Sequence, residues 1–122
     1  YHLDTCFALL GPDTALYYPA AFSEESRQRI RERFSQAIPV GAEEARRLVC
    51  NLVVVDRQVV MSASCPVARA ELLYLGYVVH EVEVGEFMKA GGGAKCLVLF
   101  LASVPEPSQE PEPLAHATVA VG

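Results

Sequence analysis

The sequence predicts an α/β fold in which the order strand, strand, helix, strand occurs twice and one further strand follows. Three observations lead to this prediction. Short runs of β-branched, aromatic and apolar residues lie between turn residues, and two segments carry helix-start signals. The same order of elements recurs after about 40–50 residues, the scale of propeller or solenoid units. The two copies share little sequence, so the repeat is one of structure.

The first copy occupies the first third of the chain. Its helix begins after Ser23, a good N-cap residue, and extends to about residue 35. Acidic residues fill its first turn and basic residues its last, which suits the helix dipole. A turn over residues 11–13 separates the first two strands. The predicted strands of this copy cover residues 2–10, 14–18 and 37–40.

The second copy follows a short helix or turn over residues 43–49. Ser64 as N-cap and Pro66 in the first turn predict its helix, which Gly76 is placed to end. Its predicted strands cover residues 52–55, 59–61 and 77–84. A Gly-rich loop comes next, and residues 96–101 are predicted to form the last, buried strand.

Composition limits the possible classes of protein. The chain has 122 residues, of which 52% are apolar, enough for one domain or part of one. We expect residues 1–102 to form a partial domain and the Pro- and Glu-rich residues 103–122 to be a disordered tail. The chain opens at Tyr1 on a strand-like segment without a leader, which indicates a fragment.

Charge and cysteine usage exclude further classes. Net charge is −5 with scattered basic residues, which argues against binding to nucleic acid or to a membrane. None of the four cysteines forms a C-x-x-C pair, which argues against a zinc site. Their wide spacing and the absence of a signal peptide favour reduced thiols and a cytoplasmic location.

His2 and Asp4 form the first candidate pair. They lie two residues apart on a predicted strand, so their side chains face the same side. Two polar groups on an otherwise apolar strand are costly to bury, and a functional site explains their presence. The alternative is that the strand frays and both groups are solvated.

Cys96 is the second candidate. It follows Gly91, Gly92 and Gly93, a loop that a ligand could approach closely, and Lys95 beside it would favour the reactive thiolate. The alternative is a flexible turn followed by an inert core cysteine.

Five other residues have simpler interpretations. Asn51 either braces a turn or contacts substrate. His80 is expected at the surface. Small core positions are expected for Cys6, Cys50 and Cys65.

Three segments together resemble a known family. They are His2-Leu3-Asp4-Thr5, Cys50-Asn51 before a strand hairpin, and Glu-Phe-Met-Lys-Ala-Gly-Gly-Gly-Ala-Lys-Cys-Leu over residues 86–97. In this order they resemble the C-terminal part of the dimethylarginine dimethylaminohydrolase and arginine deiminase-related family, of the amidinotransferase or pentein superfamily. The resemblance implies about two blades of a five-bladed α/β propeller, whose N-terminal part is missing here.

The resemblance also implies a function, namely hydrolysis of dimethylarginine or arginine to citrulline through a covalent cysteine intermediate. Cys96 would be the nucleophile and His2 its acid–base partner, with Asp4, Gly92, Gly93 and Asn51 binding substrate. No metal or organic cofactor is implied. The partners would be a small guanidino substrate and the rest of the domain, and a homo-oligomer is possible. The alternative is a non-catalytic α/β module used for packing or self-association through unpaired strand edges.

Overall fold

The computed structural model describes residues 2–101, and the predicted tail over 103–122 lies outside them. The described residues form two three-stranded sheets with four helices. The strands are β1 (Phe7–Leu9), β2 (Thr14–Tyr17), β3 (Gln36–Pro39), β4 (Val53–Val55), β5 (Gln58–Ser62) and β6 (Val78–Val82). The helices are α1 (Glu24–Arg33), α2 (Ala42–Arg46), α3 (Pro66–Tyr74) and α4 (Gly85–Met88).

The two sheets have the same topology. In each, the first strand pairs antiparallel with the second, and the second pairs parallel with the third. A parallel pair needs a crossover connection, which α1 provides in the first sheet and α3 in the second. The predicted strand, strand, helix, strand repeat is therefore confirmed.

Helix α1 forms as the sequence predicts. The Ser23 hydroxyl accepts a hydrogen bond from the Ser26 N–H at 3.2 Å, so one of the unpaired N–H groups of the first turn is satisfied. On the solvent side, Arg29 pairs with Glu25 at 2.6 Å. Such an exposed i,i+4 pair adds little stability.

The core lies where the two repeats meet. A single apolar cluster joins Leu16 of β2 with Val59 and Met61 of β5 and Leu72 of α3, all fully buried. The Tyr77 hydroxyl donates to the Leu10 carbonyl at 2.8 Å and so links the second repeat to the first. The repeats are held together by shared burial and by this buried polar contact.

Helix α3 begins in a way that the sequence did not predict. Ser64 has a φ of 63°, and Cys65 is the N-cap residue without a capping side chain. The Val67 and Ala68 N–H groups instead donate to the carboxylate of Glu44, at 2.7 and 3.0 Å. Prediction of Ser64 as N-cap was wrong because a buried carboxylate from α2 takes that role.

The first predicted strand was placed too early. Residues Leu3–Thr5 form a 3-10 turn, and the strand begins only at Phe7. The Thr5 and Cys6 N–H groups bond back to the carbonyls of His2 and Leu3 at 3.1 and 3.0 Å. These backbone groups are used locally rather than in a ladder, so His2 and Asp4 lie on a turn.

The last predicted strand, over residues 96–101, is wrong. Lys95–Leu97 is a 3-10 turn, and the following residues pair with no strand among residues 2–101. The segment is not buried either, since Leu99 and Leu101 are each 82% exposed. An apolar run predicts burial, but burial requires a neighbouring strand, and the described part of the chain supplies none here.

Replacement of Tyr77 by Phe tests the contact between the repeats. Tyr77→Phe keeps the ring and its stacking beneath the Arg57 guanidinium, whose centre lies 4.5 Å from the ring centroid. It leaves the buried Leu10 carbonyl without its donor, so we expect a loss of about 1–2 kcal/mol in the free energy of unfolding. Urea denaturation measures this value. The control is Ser62→Ala, since the buried Ser62 hydroxyl bonds to nothing among the described residues and its loss should be neutral.

Replacement of Glu44 tests the unusual start of α3. Glu44→Ala removes both acceptors from the first turn of the helix, and we expect unfolding to become easier by about 2 kcal/mol. Glu44→Gln keeps one acceptor oxygen and should lose less. Equal stability of both variants and the unmodified chain in urea would contradict the capping role of Glu44.

Candidate active site

A cleft of about 840 Å³ opens between the first strands of the two sheets. Its walls are apolar and come from β1 and β4, together with Phe100. Three polar residues face it, namely His2, Asp4 and Lys95. An apolar cleft with a few convergent polar groups is the usual form of a small-molecule site.

The 3-10 turn at the start of the described chain brings His2 and Asp4 to this cleft. The turn is held by the Thr5 hydroxyl, which donates to the His2 carbonyl at 2.6 Å. Asp4 Oδ2 lies 4.0 Å from Lys95 Nζ, in a pair whose side chains are partly exposed. Asp4 Oδ1 is shielded and bonds to nothing among residues 2–101. The Asp4 carboxylate therefore keeps spare capacity to accept hydrogen bonds from a cation.

The loop that carries Cys96 requires glycine for space as well as conformation. Gly91 has a φ of 86°, in the left-handed region that glycine favours. A Cβ on Gly92 would lie 3.1 Å from Cys96 Cβ, and one on Gly93 would lie 3.0 Å from Asn51 Oδ1. A larger residue at either position would push the loop outward, so these glycines set the position of the exposed Cys96.

Asn51 lies beneath this loop and is fully buried. Its Oδ1 accepts hydrogen bonds from the N–H groups of Gly93 and Cys96, at 3.0 and 3.2 Å. Its Nδ2 donates to the Asp4 carbonyl at 3.3 Å. The bracing role is thus what Asn51 performs in this structure, and contact with substrate stays a prediction.

The other three cysteines differ from Cys96 in their surroundings. Burial raises the pKa of Cys50 to about 12 and that of Cys65 to about 11. Burial also raises the pKa of Cys6, which is only partly covered. Core placement is confirmed for Cys50 and Cys65 and wrong for Cys6, because the 3-10 turn brings its thiol towards the Leu3 carbonyl. Cys96 is the exposed thiol of the four.

The structure thus gathers most of the predicted site residues. His2 and Asp4 line the cleft, while Gly92, Gly93 and Asn51 hold the loop beside it. Cys96 is not itself a wall residue, but it follows Lys95, which is. His80 is exposed and bonds to Gln58 at 2.7 Å, so its predicted surface position is confirmed.

Sequence reasoning missed one residue of the cleft, Phe100, and gave Lys95 a different partner. Lys95 was expected to favour the Cys96 thiolate, and its Nζ lies 4.0 Å from Asp4 Oδ2. Phe100 was placed in a buried strand, and it faces the cleft. The continuous apolar run over residues 97–101 has no alternation that could have shown which side chain faces a ligand.

None of the helices within residues 2–101 is both long and apolar enough to span a bilayer. The same residues contain no group of three or more His, Cys, Asp or Glu side chains arranged to hold a metal ion.

The chain is similar in sequence to individual known proteins, although no family model matches it. It is 38% identical over 123 residues to the bifunctional arginine dihydrolase/ornithine cyclodeaminase AgrE of Nostoc sp., a match covering 99% of this chain and 17% of that protein. It is 35% identical over 99 residues to the N(G),N(G)-dimethylarginine dimethylaminohydrolase of Mycobacterium tuberculosis, covering 81% of this chain and 33% of that enzyme.

A solved structure agrees with these sequence matches. The N-terminal domain of a variant of ArgZ, a cyanobacterial arginine dihydrolase, was crystallised covalently bound to a reaction intermediate. It superposes with a TM-score of 0.74 and 39% identity over 79% of this chain and 36% of that one.

The chain thus spans a third or less of the length of the two curated relatives described above. Over that part, the level of sequence identity and the shared fold agree with each other. The chain therefore belongs to the dimethylarginine dimethylaminohydrolase and arginine deiminase-related family of the pentein superfamily.

Proposed function

We propose that this chain supplies the nucleophile and the acid–base residue of a site that hydrolyses a guanidino compound. The observation that supports this most directly is the cleft itself. His2 and Asp4 from one end of the described chain meet Lys95, the neighbour of Cys96, from the other end. Dimethylarginine and arginine are the candidate substrates, with citrulline and an amine or ammonia as products.

The first half of the proposed reaction forms a covalent intermediate. The Cys96 thiolate attacks the central guanidinium carbon and forms a C–S bond. His2, as imidazolium, gives a proton to the departing nitrogen, and the C–N bond breaks to release amine or ammonia. A thiouronium remains on Cys96, and His2 is now neutral.

The second half regenerates the enzyme. Neutral His2 takes a proton from a water molecule, whose oxygen attacks the thiouronium carbon. The adduct collapses with cleavage of the C–S bond, which returns the Cys96 thiolate, while His2 stays an imidazolium. The hydroxyl proton of the adduct passes through solvent to the released amine or ammonia, which ends as its ammonium ion. The carbon leaves as a ureido group, so one water is consumed for each amine released. No metal or organic cofactor takes part in this scheme.

In this proposal, Asp4 binds the guanidinium cation of the substrate. A carboxylate accepts two parallel N–H bonds from a planar guanidinium, which fixes the orientation of the carbon to be attacked. Lys95 is 4.0 Å from Asp4 Oδ2, so a bound guanidinium would compete with it. The absence of a side chain at Gly92 keeps the space beside Cys96 Cβ open to substrate, whereas Gly93 lets the loop backbone pack closely against Asn51.

The rest of the domain completes the site in this proposal. The described residues offer one carboxylate on the cleft, Asp4, and a substrate amino acid also carries α-amino and α-carboxylate groups that need partners. Those groups, and any further acid that orients His2, are assigned to the missing part of the domain.

Alkylation of the thiols provides the first test. Iodoacetamide at neutral pH should label Cys96 at least about tenfold faster than Cys50 and Cys65, because the thiolate reacts and burial raises the pKa of both core thiols. Peptide mass spectrometry resolves the four sites. In a protein that contains the whole domain, arginine analogues should slow labelling of Cys96 alone. Equal labelling of all four thiols would favour the alternative, a packing module.

Substitution of the nucleophile provides the second test. In the whole domain, Cys96→Ser should lower citrulline formation by at least about 10³-fold, since an unactivated hydroxyl is a much weaker nucleophile than a thiolate. Circular dichroism and urea denaturation should be unchanged because Cys96 is exposed. Cys6→Ser is the matched control, since it changes another accessible thiol and should keep full activity. Activity retained in Cys96→Ser would refute the assignment of Cys96.

A further inference from the structure

We infer that Asn51 is a positioning residue that sets the distance between the two halves of the site, the loop with Cys96 and the turn with Asp4. The catalytic meaning of this inference rests on the proposed function. The contacts themselves do not depend on it, so the two ideas can fail separately.

The geometry gives Asn51 four hydrogen bonds to two distant segments. Its Oδ1 accepts from Gly93 and Cys96, at 3.0 and 3.2 Å. Its Nδ2 donates to the Asp4 carbonyl at 3.3 Å, and its main-chain carbonyl accepts from the Lys95 N–H at 3.0 Å. One side chain therefore touches the Asp4 turn on one side and the Cys96 loop on the other.

Only an amide of this size satisfies the arrangement. An amide oxygen has two acceptor positions and the amide nitrogen donates, whereas an ionised carboxylate only accepts and an aliphatic side chain does neither. A longer Gln would need extra volume at a position that is already fully buried. Since Asn51 is fully buried, water cannot replace a lost partner.

This placement has a direct chemical consequence. The reacting carbon must sit within reach of Cys96 Sγ while the guanidinium rests on Asp4, and small misplacements of reacting groups are costly to rate. Asn51 holds the backbone N–H of Cys96 itself and the backbone carbonyl of Asp4 itself. It thereby fixes both residues at their main chains, leaving their side chains available for substrate.

The experiment compares Asn51→Ala with Tyr77→Phe in the full 122-residue chain. Both remove a buried hydrogen-bonding group, but the Tyr77 contact joins Leu10 and not the Cys96 loop. Hydrogen exchange of backbone amides is the readout. We expect the Gly93 and Cys96 amides to exchange about tenfold faster in Asn51→Ala, and to be unchanged in Tyr77→Phe. Equal exchange at these amides in the two variants, once compared at matched stability, overturns the inference.

The conservative variant Asn51→Asp separates positioning from simple loss of packing. It keeps the two acceptor positions for Gly93 and Cys96 and loses the donor to Asp4. We expect these two amides to stay protected while exchange in the 3-10 turn Leu3–Thr5 increases. A new negative charge beside Cys96 should also shift its alkylation profile to higher pH. If the Gly93 and Cys96 amides lose protection together with the Leu3–Thr5 turn, the role assigned to the Asn51 amide is contradicted. An unchanged pH dependence of Cys96 alkylation contradicts it as well.

A second variant keeps the test informative if Asn51→Ala does not fold. Gly93→Ala leaves Asn51 in place but puts a Cβ 3.0 Å from its Oδ1, so the loop must move away and the Cys96 amide should exchange faster. Unchanged exchange there overturns the inference. Slow alkylation of Cys96 in the unmodified chain would instead count against the proposed function and leave the positioning role standing.

Discussion

The buried amide of Asn51 is the interaction on which the site depends. Burial of a polar side chain is stable only if its hydrogen-bonding partners are present. Burial of Asn51 therefore requires both the Asp4 turn and the Gly-rich loop to lie within hydrogen-bonding distance of it. The loop in turn needs glycine at positions 92 and 93 to approach so closely. Burial of Asn51, its hydrogen bonds and the glycines at positions 92 and 93 therefore depend on one another.

The two repeats are joined by polar contacts as much as by the apolar core. Tyr77 bonds across to Leu10, and Glu44 caps the helix of the second repeat from the segment between the repeats. These contacts fix how the sheets meet, and the cleft lies between their first strands, β1 and β4. A change in the relation of the repeats would therefore change the shape of the site, even though none of these three residues faces it.

The same fold also differentiates the four thiols. Burial raises the pKa of Cys50 and Cys65 far above neutrality, which suppresses their reactive form, whereas Cys96 stands exposed on its loop. The difference in burial alone therefore makes Cys96 more reactive than Cys50 and Cys65.

The sequence by itself determined the repeat, the helix caps at Ser23 and the order of the His2, Asn51 and Cys96 segments, because these depend on local pattern and on motif. Only the tertiary structure decided that His2 and Asp4 lie on a turn, that Glu44 caps α3 and that residues 96–101 form no strand here. Each of those outcomes depends on which hydrogen-bonding partners are near in space. Sequence pattern indicates which side chains prefer burial, but not which distant group will meet them.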